Sequence, residues 1–110
     1  MTDANKAVLQ ELRLDVWLWR ARFYKSRALA TRTVKSGKIR LERSGATSSQ
    51  TFRVSKPNTI IRTGDRLTFM RNDQLFHIKI LNVGTRRGPA REAQSLYQSV
   101  ETVTKLSLSA

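Results

Sequence analysis

RLDVWLWRARFYKSRALATRTVKSGK, residues Arg13 to Lys38, holds both the clearest helical periodicity and the densest positive charge of the chain. Leu14, Trp17, Leu18 and Ala21 recur at i, i+3, i+4 and i+7, the spacing that lays one apolar stripe along a helix. A first helix is therefore predicted over Asp15 to Tyr24, with the Asp15 carboxylate at the positive end of the helix dipole. Ser26 is a good N-cap, Ala28, Leu29 and Ala30 are good helix formers, and Gly37 suits the left-handed residue that closes a helix. A second helix is expected from Arg27 to Ser36, with Ala30, Val34 and Leu29 turned inward. Two helices this close in sequence form a hairpin or a corner.

Outward from this stretch the apolar period drops to two. Ile39 and Leu41 alternate with charged neighbours, as do Phe52 and Val54, which reads as short strands. Between them Arg43 to Gln50 offers Gly and hydroxyl residues but no core face, so a hairpin loop or mobile excursion is expected. Lys56-Pro57-Asn58 turns the chain, Ile60 and Ile61 return to the core, and Thr63-Gly64-Asp65 makes a further turn. Leu67 and Phe69, then Phe76, Ile78 and Ile80, form a last hairpin around Asn72-Asp73-Gln74. Gly88-Pro89 restarts a helix whose stripe would be Leu96, Tyr97 and Val100. Residues 1–12 read as a mobile arm, 13–97 as one domain, and 98–110 as the end of the C-terminal helix and a frayed tail. The fold class is α+β.

With 110 residues there is room for one compact core, and 39% apolar content favours a folded domain over disorder. Twenty-one Lys and Arg against eight Asp and Glu leave a formal +13, which repels itself unless a polyanion neutralises it. Nucleic acid is the first candidate. No apolar run is long enough to span a bilayer and the N-terminus lacks the layout of a secretion signal, so a cytoplasmic protein with no membrane partner is expected. No cysteine and a single histidine leave no metal-ligand cluster, and no phosphate loop or dinucleotide fingerprint occurs, so no cofactor is expected. His77 has no nucleophile or carboxylate pair beside it in sequence, and no catalytic residue is assigned.

From Arg13 to Arg43, ten basic residues stand against Asp15 and Glu42, a local +8. Arg27, Thr31 and Lys35 fall at i, i+4 and i+8 and line one stripe of the second helix, with Lys38 just past its end. Lys25 and Arg27 flank the N-cap, where side-chain cations join free backbone N–H groups. A merely solvated helix face would alternate signs to gain i, i+4 pairs, whereas no Asp or Glu occurs from Val16 to Leu41. Phosphate contact is the better reading. Trp17 lies on the apolar stripe and belongs to the core. Trp19, on another side of the helix, is read as packing on a second element in preference to stacking on a base. Phe23 and Tyr24 are read as wedging the two helices.

Arg13-Leu14-Asp15-x-Trp17-Leu18-Trp19, Lys25-Ser26-Arg27, Ala30, Val34, Gly37 and Ile39, then Val54-x-Lys56-Pro57 and Gly64-Asp65, resemble in order and spacing the RNA-binding domain named after ribosomal protein S-four. Within that superfamily, the run from Arg13 to Arg27 looks most like the small ribosome-associated heat-shock proteins of bacteria. The resemblance spans residues 13 to 97 and implies a two-helix unit packed on a small bent, mostly antiparallel sheet. It implies binding of structured ribosomal RNA of the large subunit, with ribosome recycling as the role, and weak DNA binding as a lesser partner. Arg13, Arg22, Lys25, Ser26, Arg27, Thr31, Lys35, Lys38 and Lys56 are the RNA-facing candidates, and a monomer is expected. Two departures limit the transfer: Ser44 to Gln50 replaces a short Asn-Gly hairpin, and the chain is nearly neutral after Pro89, where those relatives carry a long basic extension. An RNA-modifying enzyme built on the same module, and a protein-interaction adaptor, are the alternative readings.

Overall fold

The computed structural model describes residues 10–44 and 49–100. Strand β1 (Glu11–Arg13) runs directly into helix α1 (Leu14–Arg20). Arg13 at the N-cap offers no side-chain acceptor, so the first free N–H groups turn elsewhere: Leu14 donates to the Thr59 carbonyl at 2.8 Å and Asp15 to that of Pro57 at 3.4 Å. This fastens the helix start to the Lys56–Thr59 turn.

Helix α1 ends four residues earlier than its periodicity suggested, and the cause is Arg22. It sits at φ 64, and around it Arg22 N–H donates to Trp19 O at 3.1 Å while Phe23 N–H donates to Leu18 O at 3.0 Å. That is the paired bonding of a Schellman ending, with arginine at the position glycine usually takes. The left-handed residue turns Phe23 and Tyr24 away from the helix and into the core, where both are buried. Helix α2 (Arg27–Lys35) follows the sequence reading: Ser26 Oγ accepts from Leu29 N–H at 3.0 Å, and Gly37 at φ 75 ends it. Ala30 and Val34 are its buried residues.

Five antiparallel strands form the main sheet: β2 (Ile39–Ser44), β3 (Ser49–Val54), β5 (Arg66–Arg71), β6 (Gln74–Ile80) and β7 (Tyr97–Ser99), in the order β3-β2-β5-β6-β7. Strand β4 (Ile60–Arg62) pairs apart from it with β1. Residues 10–13 are thus partly structural, and Leu12 packs on the core, so the expected arm is a strand at its described end. The stretch read as a loop from Arg43 to Gln50 also contributes paired residues, Arg43 to Gln50 and Ser44 to Ser49; its middle, 45–48, lies outside the described residues, as do 1–9 and 101–110.

Period-two alternation places Ile39, Leu41, Val54, Leu67, Phe69, Ile78 and Ile80 on one sheet face, buried against Leu14, Trp17, Leu18, Ala30 and Val34. Phe23 fills the centre, with ring centroids 4.7 Å from Tyr97, 5.1 Å from Phe69 and 5.3 Å from Phe76. Phe23, expected to wedge the two helices, instead packs between Trp17 of α1 and the sheet rings. Ile60, expected in the core, is exposed while its neighbour Ile61 is buried, because consecutive strand residues face opposite ways. At the β5–β6 turn, Asn72 and Asp73 at φ 53 and 64 form a two-residue loop of the left-handed kind that hairpins favour.

The C-terminal helix is present but short. Helix α3 (Ala90–Gln94) stops, and Tyr97, expected on a helical stripe with Leu96 and Val100, instead opens β7 on the edge of β6. Val100 N–H then donates to His77 O at 2.8 Å. A helix continued through Tyr97 would leave this edge of β6 unpaired, whereas the strand satisfies it and still buries Leu96.

Candidate nucleic-acid interface

The ten cations counted between Arg13 and Arg43 divide into two classes. Several are committed to acceptors within the fold. Arg43 grips the buried Asp65 carboxylate with Nε at 3.0 Å and Nη2 at 2.8 Å, and gives a further bond to Ile60 O. Arg20 donates to Gly84 O at 2.7 Å, and Arg22 Nε to Gly88 O at 2.6 Å. Both reach across to the segment before α3, fixing it to α1. Asp65 is accordingly more than the turn residue its setting suggested: it also accepts from Arg62 N–H at 2.8 Å and organises the junction of β2, β4 and β5. Its partner lies 22 residues away, beyond the reach of local sequence reading.

Lys25, Arg27, Arg32, Lys35 and Lys38, with Arg40 on β2, form the other class: all are exposed, and none has a carboxylate partner among the described residues. All but Arg40 lie on or beside α2, whose inward face is only Ala30 and Val34. The structure therefore leaves uncompensated the cations nearest the α2 backbone. Arg27 also lies 5.9 Å from the Trp19 ring centroid, with Arg87 at 5.7 Å. Trp19 is half-buried between these guanidinium groups, and Arg87 Nε donates to its carbonyl at 3.0 Å. That is packing of the kind expected, but against arginines from α2 and from the segment ahead of α3.

Arg13 and Thr31 meet at Asp15. Arg13 Nε and Nη2 reach the two carboxylate oxygens at 3.0 and 2.8 Å, and the Thr31 hydroxyl donates to Oδ2 at 2.8 Å. Burial by itself would raise the Asp15 carboxyl, but the hydrogen bonds from Arg13 and Thr31, the Arg13 charge and the Val16 N–H outweigh it and hold Asp15 below the usual carboxylate range. Thr31 thus joins α2 to α1 with its hydroxyl already committed, although it falls in the row with Arg27 and Lys35. Lys56 is exposed in the turn whose carbonyls hold the start of α1, which sets it by the Arg13 end of the same surface. Ser26 is spent on the α2 cap.

Lys25 and Lys38 also border the other flank of α2. There a groove of about 590 Å³ runs between the helix and the tip of the β5–β6 hairpin, and Arg32, Met70 and Arg71 share its lining. Sequence reading assigned no role to Met70 or Arg71; the available signal was the Asn72-Asp73 turn, which places residue 71 at the hairpin tip. Among the described residues no group of three or more His, Cys, Asp or Glu could hold a metal ion, and no helix is long and apolar enough to cross a membrane.

A family model described as the S4 domain matches residues 12–48, which takes in α1, α2 and β2. The chain is 38% identical over 96 residues to the heat shock protein 15 homolog of Haemophilus influenzae, covering 87% of this chain and 66% of that protein. It is 35% identical over 102 residues to heat shock protein 15 of Escherichia coli strain K12, covering 89% and 70%. The chain thus spans about two thirds of the length of these relatives. A solved structure, the trimeric structure of Vibrio cholerae heat shock protein 15, superposes with a TM-score of 0.72 at 34% identity, over 92% of this chain and 94% of that one.

Proposed function

Because the chain belongs to the heat shock protein 15 family and carries an S4-type RNA-binding domain, we propose that its α2 surface holds structured ribosomal RNA of the large subunit, in a ribosome-recycling role and without chemistry of its own. The observation that carries this reading is the division among the cations. Burying or pairing all the arginines would serve stability alone, yet Lys25, Arg27, Lys35 and Lys38 are held out to solvent on one short, capped helix and its ends. Such a row fixes phosphate register, while the rigid two-helix frame supplies a shape for folded RNA to match. Arg13, Arg22 and Lys56 border the row, and Ser26 and Thr31 hold its geometry. A cytoplasmic protein fits a ribosomal partner, and weak DNA binding would follow from the same phosphates.

Equal-charge variants test the reading. Lys25→Ala, Arg27→Ala and Lys35→Ala together should weaken binding to large-subunit RNA far more than Arg66→Ala, Lys79→Ala and Arg91→Ala together. The first set should also flatten the dependence of log affinity on log salt by roughly one unit for each phosphate no longer neutralised. Circular dichroism first establishes that both fold. Comparable losses in the two would mean a diffuse field and no row. Sedimentation of the free protein addresses assembly in parallel: the sequence reading is a monomer, against the trimer named for the Vibrio relative.

A further inference from the structure

The flank of α2 opposite Thr31 carries a feature that the phosphate row leaves unused. Leu29, Thr33 and Ser36 line it on the helix, and Met70 and Arg71 border it from the tip of the hairpin. Met70 is 56% exposed and its cross-strand partner Leu75 59%, an apolar tip on a sheet face otherwise occupied by residues such as Arg40, Arg53, Thr68 and Lys79. Phe23 and Tyr24, both buried, are among the lining, and Lys25, Arg32, Lys38 and Arg71 surround the groove, with no carboxylate in the lining. A second groove, of about 440 Å³, shares Thr33, Ser36, Lys38 and Met70 with the first and continues to Arg40 and Arg53, again without a carboxylate. Together they make one track of cations passing an apolar step.

We propose that this groove takes a single-stranded RNA segment, with an unpaired base lodged against Phe23, Leu29 and Met70 and the neighbouring phosphates carried by Lys25, Arg32, Lys38 and Arg71. The proposal rests on the RNA-binding reading above and adds to it a class of RNA. The composition decides the occupant. A duplex presents phosphates and hides its bases, so it has no use for an apolar floor; a single strand presents both. Size points the same way: about 590 Å³ lies within the range of small-ligand clefts, enough for one nucleotide and too little for a helix. Methionine suits the role because its flexible, polarisable thioether accommodates flat rings of different outline. An acidic peptide would find the charge, but the continuation past Lys38 to Arg40 and Arg53 matches a chain with charge at every unit. Lys25 and Lys38 stand between the two flanks, so a folded RNA with a single-stranded extension could engage both.

The test uses the full chain and two labelled probes: an oligouridine about eight nucleotides long, within the site sizes of single-strand binders, and a blunt RNA duplex. Arg32→Ala with Arg71→Ala removes two charges from the groove, and Arg27→Ala with Lys35→Ala removes two from the row. The groove pair should lose about ten-fold or more in oligouridine affinity and less than about three-fold for the duplex, and the row pair should show the reverse order. Met70→Ala, which changes no charge, should weaken oligouridine by about three-fold and leave the duplex alone, and 4-thiouridine in the oligonucleotide should crosslink at Phe23 or Met70. Equal oligouridine losses in the two charge variants, or no loss on Met70→Ala, would overturn the proposal, as would groove variants that leave oligouridine binding intact because a protein is the true occupant. Wild-type protein that binds duplex but not oligouridine removes the groove and leaves the row; binding of neither probe removes both.

Discussion

Helices α1 and α2 are neighbours of similar length, yet they use their side chains in opposite ways. Five consecutive residues of α1, Leu14 to Leu18, are buried, including a carboxylate, and the arginines around it are tied to Asp15, to Gly84 O and to Gly88 O. Helix α2 buries two residues and holds its cations outward. One helix is the post on which the domain is assembled; the other is a surface the post holds in place. Positive charge alone therefore does not define a binding site. An arginine whose fork is filled by backbone carbonyls or a carboxylate has become a structural tie, and only the remainder is available to phosphate.

The largest effect expected from this division is at Trp17. It is fully buried, packs on the Phe23 and Tyr97 rings, and donates Nε1–H to Asn82 O at 2.9 Å. Trp17→Ala should cost about 3–5 kcal/mol, read from urea unfolding. Arg32→Ala on α2 should stay within about 0.5 kcal/mol. Similar costs at the two positions would break the contrast between post and surface.

Next in size is a tie, Arg43. Its loss strands Asp65, which is 3% exposed and keeps one described bond, from Arg62 N–H. Arg43→Ala should lower stability by about 1–3 kcal/mol, with affinity for folded RNA changed much less than by Arg27→Ala once both are compared under conditions where they are folded. A larger effect on RNA than on stability would move Arg43 from the tied class to the free one.

These two residues also show what was legible in the sequence. Trp17 announces itself, because burial on a helix is written as i, i+3, i+4 spacing and needs no knowledge of the partner. The Ser26 cap, the Gly37 stop and the strand alternation are local for the same reason. Arg43 and Asp65 are 22 residues apart, and nothing in their neighbourhoods says that they meet. The early end of α1 was hidden because a left-handed turn normally signals itself with Gly or Asn, and here the position is Arg22, held by its bond to Gly88 O. The strand at Tyr97 was missed because its residues fit a short helix equally well, and only the open edge of β6 decides between them. For the candidate surface, the row on α2 was readable, whereas the groove needs a hairpin more than thirty residues further along the chain.

Arg13 gives a smaller effect that is sharper in kind. Asp15 is held below the usual carboxylate range despite its burial, so its ionised form stabilises the fold at pH values above the unfolded pKa of about 3.9, and that contribution fades as the pH falls through the lower folded value. In Arg13→Ala the guanidinium bonds and charge are gone while burial remains, which moves the Asp15 carboxyl upward. The variant should be less stable than the wild type at pH 7, and the gap should narrow as the pH is taken to about 3 or below, measured as urea midpoints across the series. A gap independent of pH would show that Arg13 acts by packing alone, and would return it whole to the RNA-facing set.

A smaller change still is expected from the cap at Ser26, where post and surface meet, and there the two roles can be separated at one position. Ser26→Ala removes the acceptor for Leu29 N–H and should cost about 1 kcal/mol. Ser26→Asp keeps an acceptor and adds a negative charge at the helix start, which favours the helix, so its unfolding midpoint should stay within about 0.5 kcal/mol of the wild type. That same charge stands beside Lys25 and Arg27, where a phosphate is expected, and should weaken binding of folded RNA by about three- to ten-fold with a salt slope shallower by about one unit. The Ala variant should lose less affinity although it is the less stable of the two. If instead affinity follows helix stability, with the Asp variant binding as well as the wild type and the Ala variant weakened, then the start of α2 positions the cations without meeting RNA itself, and the interface begins one turn further along, at Thr31 and Lys35.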